Sequence, residues 1–172
     1  MRNGLKQQIP AFGGLIGTPI INKANWLFNY PKKKLTVSNA HLADETFKSI
    51  KISRQSGVPY ADINIGGTTY KAMIDMGSSS ALSVPEGSPL AQILLNKYKF
   101  QDNERPVYTI GGMQKVKERI GMIPNLKIGD IDFSGVPVDI RKTSALRIGA
   151  RFFMEYVLYI DNINRDFKIK IK

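Results

Sequence analysis

The sequence contains no cysteine, a single histidine and a single tryptophan. Without cysteine, disulfides, thiolate zinc sites and cysteine nucleophiles are all excluded. The compartment stays open, because a cysteine-free chain is stable in either redox state. Long hydrophobic runs are also missing. No stretch approaches the ~20 apolar residues of a membrane-spanning helix. Met1-Arg2-Asn3-Gly4-Leu5-Lys6 carries no apolar h-region, so no secretory signal is expected there. Acidic residues are scarce: 14 Asp and Glu face 25 Lys and Arg, for a net charge of +11. Such an excess fits either a well-solvated basic surface or attraction to an anionic polymer. The cations are dispersed. Lys32-Lys33-Lys34 falls in an expected hairpin turn, and Lys168, Lys170 and Lys172 alternate with Phe167, Ile169 and Ile171 as the wet face of a strand. No basic stripe is interleaved with aromatics, so no specific nucleic-acid partner is expected.

What is present is enough for a core. Apolar residues make up 42% of 172 residues, which suits one domain, or one domain plus a fragment. The chain also repeats itself. Leu15-Ile16-Gly17 matches Arg147-Ile148-Gly149 at an offset of 149 − 17 = 132. At that offset Ile20 and Ile21 fall on Phe152 and Phe153, and Trp26, Leu27 and Phe28 fall on Leu158, Tyr159 and Ile160. Leu35 and Val37 fall on Phe167 and Ile169, and the polar turn 29–34 falls on 161–166. Each copy reads as an apolar-Gly step, a short helix, a strand, a turn and a strand. The repeat predicts the end of one domain followed by the whole of a second. Residues 1–39 are expected to be the C-terminal remnant of a first lobe, 40–56 a linker and 57–172 a complete lobe. His41, in that linker, is expected to be solvated. The first lobe's counterpart of Asp75 would lie at 75 − 132 = −57, before Met1.

Within 57–172 the pattern is mostly β. Strands are expected at 58–65 and 68–74, joined by a Gly66-Gly67 turn, with a short strand at 81–84. Ser88-Pro89 reads as an N-cap and first helical residue, followed by an apolar face of Leu90, Ile93 and Leu94. Residues 97–105 read as a polar loop. Hairpins follow around Gly111-Gly112 and Gly129-Asp130, then a strand at 136–140, a short helix at 150–156 and closing strands at 158–160 and 167–171. Many short strands, glycine turns and one or two short helices argue for a β barrel or sandwich.

The residue that carries chemistry is Asp75, at the end of a strand and followed by Met76-Gly77-Ser78-Ser79. Gly77 permits a turn that a β-carbon would obstruct. Ile74-Asp75-Met76-Gly77-Ser78, the later glycine hairpin Tyr108 to Lys115, and Ile148-Gly149 with Ala150-Arg151-Phe152-Phe153 together resemble the retropepsin-like aspartic peptidases. The likeness covers 58–172, with the tail of a second copy at about 12–38. It implies a closed retropepsin-like β-barrel lobe of the kind found in tandem in two-lobed bacterial proteins. It also implies peptide-bond hydrolysis by an aspartate dyad that activates water. Asp75 would be one half of the dyad, the other coming from a missing N-terminal lobe or a second copy. Met76, Gly77 and Ser78 would support the catalytic loop, with the Ser78 hydroxyl reaching the outer oxygen of Asp75. Tyr108, Ile110, Gly111, Gly112 and Met113 would form a flap over a polypeptide substrate held in extended form.

The resemblance implies no cofactor and no metal, and its two-lobed relatives are often exported. Two positions depart from the family pattern: Arg147 replaces an apolar residue, and Met76 stands where a Thr or Ser hydroxyl would bridge the dyad. Met76 leaves open a catalytically inactive peptide-binding or structural lobe, an asymmetric active site supported by the other lobe, or a residue introduced by engineering. Asp130 and Asp132 read as a turn rather than a metal loop, since further carboxylates at binding spacing are lacking. Gly13-Gly14-Leu15-Ile16-Gly17 lacks the Lys-Ser/Thr of a phosphate loop. Trp26 is expected to pack in the core of the N-terminal remnant.

Overall fold

The computed structural model describes residues 16–109 and 112–171. Ile110 and Gly111 of the expected flap, and Gly13 to Leu15, lie outside the described residues. Among the described residues, thirteen strands form two sheets.

The larger sheet carries Asp75. It is built from β4 (Ile52–Gln55), β5 (Val58–Ile65), β6 (Thr68–Asp75), β7 (Leu82–Pro85), β8 (Phe100–Thr109), β9 (Gly112–Ile128), β10 (Ile131–Arg141) and β11 (Arg147–Gly149). Their order is β4-β5-β6-β11-β7-β10-β9-β8. A further pairing, Ile63 with Ile128 and Asn64 with Lys127, joins β5 back to β9. Alternation drives this arrangement. On β5 Ala61, Ile63 and Ile65 turn inward, and on β6 Ala72 and Ile74 do so. They meet Leu82, Val84, Ile123, Leu126, Ile128, Phe133, Val138 and Ile148 in one core. Burying each such side chain contributes about 1.5–3 kcal/mol. Gly66 and Gly67 both have positive φ, 61° and 88°, so the β5–β6 link is the tight turn whose twist suits a hairpin.

One α-helix, α2 (Pro89–Lys97), covers the core with Leu90, Ala91 and Leu94. The Ser88 hydroxyl accepts from Ala91 N at 3.1 Å and caps it, Pro89 occupies a first-turn position, and Lys97 lies in the last turn. The earlier α1 (Thr18–Ile21) is a single turn.

The polar run after this helix is a strand rather than a loop: β8 begins at Phe100 and pairs with β9 as far as Thr109–Gly112. β9 pairs with β10 only from Glu118 onward, so its first residues and β8 form a two-stranded ribbon standing off the sheet. One face of that ribbon is exposed and the other, half-buried, carries Asn103, Arg105 and Glu118 among others, so little apolar alternation marks it.

The smaller sheet has the order β2-β1-β12-β13-β3, from β1 (Asn25–Asn29), β2 (Lys34–Ser38), β3 (Lys48–Ile50), β12 (Val157–Asp161) and β13 (Asp166–Lys170). The 132-residue offset recurs in the element boundaries. Thr18–Ile21 corresponds to the 3₁₀ turn Ala150–Phe153, Asn25–Asn29 to Val157–Asp161, and Lys34–Ser38 to Asp166–Lys170. Strands β1 and β12 pair antiparallel, and Leu27 faces Tyr159, its own counterpart (159 − 27 = 132). The two copies are therefore related by a local two-fold relation through that pair. Trp26 is buried there and donates its Nε1–H to Ile21 O at 2.7 Å. Segment 40–56 contributes one strand to each sheet, β3 and β4.

Candidate functional site

Asp75 is the last residue of β6, where parallel pairing with β11 places it opposite Gly149. β11 lies between β6 and β7, and the loop from Asp75 to Ala81 wraps its end. That wrapping requires glycine at 149. A β-carbon there would stand 2.3 Å from Ser80 O and 2.8 Å from Ser78 O, far inside contact distance. With no side chain, Gly149 N donates to Ala81 O at 2.9 Å and Ala150 N to Ser78 O at 2.8 Å. The backbone at Gly149 is extended, so the demand is close approach rather than dihedral freedom.

The carboxylate of Asp75 is about one-third exposed. Its Oδ1 accepts from Gly77 N at 3.1 Å, and a β-carbon on Gly77 would come within 3.3 Å of that oxygen. Ser78 N donates to the Asp75 carbonyl at 3.0 Å, which closes the turn. The Ser78 hydroxyl accepts from Ser80 N at 3.4 Å, a contact within the loop rather than with the Asp75 carboxylate. Met76 is half-buried and packs against the core. Its thioether supplies no donor at the place where a hydroxyl would stand.

Sequence reasoning treated Arg147 only as a departure from an apolar pattern. In the structure its Nη1 lies 3.4 Å from Asp75 Oδ2, while its Nε is buried with no hydrogen-bond partner among the described residues. A guanidinium therefore reaches the carboxylate from β11.

The ribbon is tied to the same loop. Glu118, on β9, has a buried side chain whose Oε1 accepts from Arg105 Nε at 2.7 Å and Asn103 Nδ2 at 2.9 Å. The other end of Arg105 reaches the hydroxyls of Ser79 and Ser80 at 3.5 and 3.4 Å. Nearer the tip, Tyr108 pairs with Met113, and both side chains are exposed. Gly112, paired with Thr109, has φ of 108°, a conformation glycine tolerates. A cleft of about 610 Å³ opens between this stem and the loop, lined by Ser79, Ser80, Lys99, Arg105, Glu118 and Arg151 among others.

A second polar cluster lies on the smaller sheet. Asp161 is fully buried, and its carboxylate accepts from Ile163 N, Asn164 N and Asn164 Nδ2. His41 Nδ1 stands 3.2 Å from Asp161 Oδ2 and 3.4 Å from the Tyr159 hydroxyl, so this half-exposed histidine is paired rather than simply solvated. Burial alone would raise the pKa of Asp161, but the Asn164 hydrogen bonds and the charges of His41 and Lys168 more than offset it and hold it below the ordinary carboxylate value. Burial first, and then the Asp161 charge, raise the Tyr159 phenol, against a lowering bond from Leu42 N. Asp132 pairs with Lys127 at 3.2 Å beside the Gly129 turn. Among the described residues no group of three or more His, Cys, Asp or Glu is placed to hold a metal ion, and no helix is long and apolar enough to cross a membrane.

No family model matches the sequence, and no curated protein matches it. Among solved structures the chain is similar to a retropepsin-like aspartic protease from Rickettsia conorii, with 17% sequence identity and a TM-score of 0.50 over 72% of this chain and 90% of that one. At that identity the likeness is one of fold: the chain is mostly β and its fold is retropepsin-like.

Proposed function

We propose that this chain is an aspartic-type endopeptidase lobe in which Asp75 is one half of a carboxylate dyad. The observation that carries the reading is the setting of Asp75. In a retropepsin-like fold it ends β6 against Gly149, with Oδ1 held by Gly77 N and a hairpin ribbon standing beside it. Two carboxylates brought together share one proton, since like charges at such range do not both ionise. The ionised member takes a proton from water as the water attacks the peptide carbonyl, and the protonated member donates to the carbonyl oxygen. A polypeptide in extended form would lie between the Asp75 loop and the ribbon, with Tyr108, Gly112 and Met113 beside it.

The second aspartate would come from another lobe or a second copy. Supporting this is a contrast between the two repeat copies. Ile148, Phe152, Phe167 and Ile169 are 0–7% exposed in the core, whereas their counterparts Ile16, Ile20, Leu35 and Val37 are 49–55% exposed. Apolar positions so exposed in a repeat whose other copy buries them fit a surface built to receive a lobe. On this reading the segment up to residue 39 belongs to that first lobe, 40–56 connects the two, and 57–172 is the complete lobe.

Met76 and the Arg147 contact favour a second reading, in which the lobe binds peptide or serves as scaffold without turnover. Met76 offers no bond across the dyad, and Arg147 already stands at Oδ2. A peptide-library digest from acidic to neutral pH separates the readings, using the chain, Asp75→Asn and Met76→Thr. Cleavage that is lost in Asp75→Asn supports hydrolysis. Peptide binding without cleavage, with turnover appearing only in Met76→Thr, supports the inactive lobe.

A further inference from the structure

We infer that Arg147 makes the site selective for peptides carrying a carboxylate side chain beside the position that faces Asp75. This rests on the reading that the cleft holds extended peptide, and it does not depend on turnover. Arg147 is a guanidinium with unmet demand. Among the described residues its one ion-pair contact is a 3.4 Å approach to Asp75 Oδ2, at the long end of hydrogen-bond distance, and its buried Nε has no hydrogen-bond partner. Its side chain is 27% exposed and Asp75 is 31% exposed, so both are reachable from outside. A guanidinium presents a planar fork that two carboxylate oxygens can engage together.

The surroundings push the same way. The cleft's two acids are buried and each has an arginine of its own: Glu118 with Arg105 at 2.7 Å, and Asp139 with Arg141 at 2.9 Å. The cations left open on its wall, Lys99 and Arg151, are exposed and carry no ion-pair partner among the described residues. Asp75 aside, the accessible charge on the cleft wall past Ser79 and Ser80 is therefore positive, on a chain whose net charge is +11. An extended peptide advances about 3.3 Å per residue and alternates its side chains. One directed at Arg147 by a Glu or Asp would bond the guanidinium and draw it from Oδ2, leaving that oxygen to water. A Gln or Asn at the same place keeps the shape but leaves Arg147 on Asp75.

The test is fluorescence anisotropy of labelled octapeptides that differ only by Glu or Gln at each of the four central positions, bound to the full chain, Arg147→Leu and Arg147→Lys. Circular dichroism checks the fold of each variant, and mass spectrometry records any cleavage of the same peptides. At one central position the Glu peptide should bind about tenfold or more tightly than its Gln twin, the range of a charge-assisted hydrogen bond. The preference should shrink with added salt, largely disappear in Arg147→Leu and be kept only in part in Arg147→Lys, which has the charge without the fork. Equal affinity for the twins overturns the inference, as does no binding of either, or a preference that survives in folded Arg147→Leu. Tighter binding of a single-stranded oligonucleotide, unaffected by Arg147→Leu, also overturns it, since the cations would then serve a polyanion. A Glu preference without cleavage upholds the inference and removes hydrolysis by this chain paired with a copy of itself. Cleavage without a Glu preference does the reverse.

Discussion

Replacing Gly149 by alanine tests how the Asp75 loop is held. The added β-carbon meets Ser80 O at 2.3 Å, Ser78 O at 2.8 Å and the Ser78 β-carbon at 3.1 Å. Two of these are backbone atoms, which cannot rotate away as a long side chain could. Either β11 moves or the 78–81 loop does, and both movements break Gly149 N to Ala81 O and Ala150 N to Ser78 O. Overpacking costs about 1–3 kcal/mol and each of the two lost bonds about 0.5–1.5 kcal/mol, so the loss should be about 2–6 kcal/mol. In a chain of this length that lowers Tm by roughly 4–24 °C. Urea unfolding followed by far-ultraviolet circular dichroism, with a thermal scan, reads both quantities. A natural control is Gly66→Ala, where positive φ is strained but nothing lies within 4 Å of the new atom. It should cost about 1 kcal/mol. A Gly149→Ala protein as stable as the parent would refute the loop geometry and with it the placement of Asp75.

Other outcomes follow from the buried charges. Arg105→Leu strands the carboxylate of Glu118 and should destabilise by about 3–5 kcal/mol, whereas Arg105→Leu combined with Glu118→Leu should recover most of that loss. Equal stability of the single and double variants in urea titration would contradict the pairing. Asp161 has a lowered folded-state pKa, so it contributes stability that is fully present above the unfolded carboxylate value of about 4 and is lost as pH falls through the folded value. Asp161→Asn should therefore lower stability at neutral pH and flatten the acid limb of a Tm-against-pH curve. An unchanged acid limb would exclude Asp161 as its source.

Much of this architecture is legible in the sequence because burial writes periodicity. The offset that aligns Ile16-Gly17 with Ile148-Gly149 also aligns helix with turn and strand with strand, without a gap. The Gly66-Gly67 turn and the Ser88-Pro89 helix start are equally visible, since each meets a local geometric demand. Residues 100–105 are not. The half-buried face of this strand is filled by the polar Asn103 and Arg105, so it shows no apolar alternation and looks like a loop. Segment 40–56 hides β3 and β4 for a related reason, since both are short and only Ile50 is fully buried. The contacts of Arg147 with Asp75 and of Arg105 with Glu118 span 72 and 13 residues. The signal for the first was present as a charge in an otherwise apolar step. The meeting of His41 with Asp161 comes only from the pairing of the two copies.

The central claim is that Asp75 activates water as half of a dyad. It is tested most directly by cleavage of the best library peptide in ¹⁸O-labelled water, comparing the chain with Asp75→Asn at equal folded concentration. The account predicts one solvent oxygen in the new carboxyl terminus and a rate about 100- to 10,000-fold lower in Asp75→Asn, the range of a lost general acid–base group. Cleavage at an unchanged rate in Asp75→Asn would contradict it.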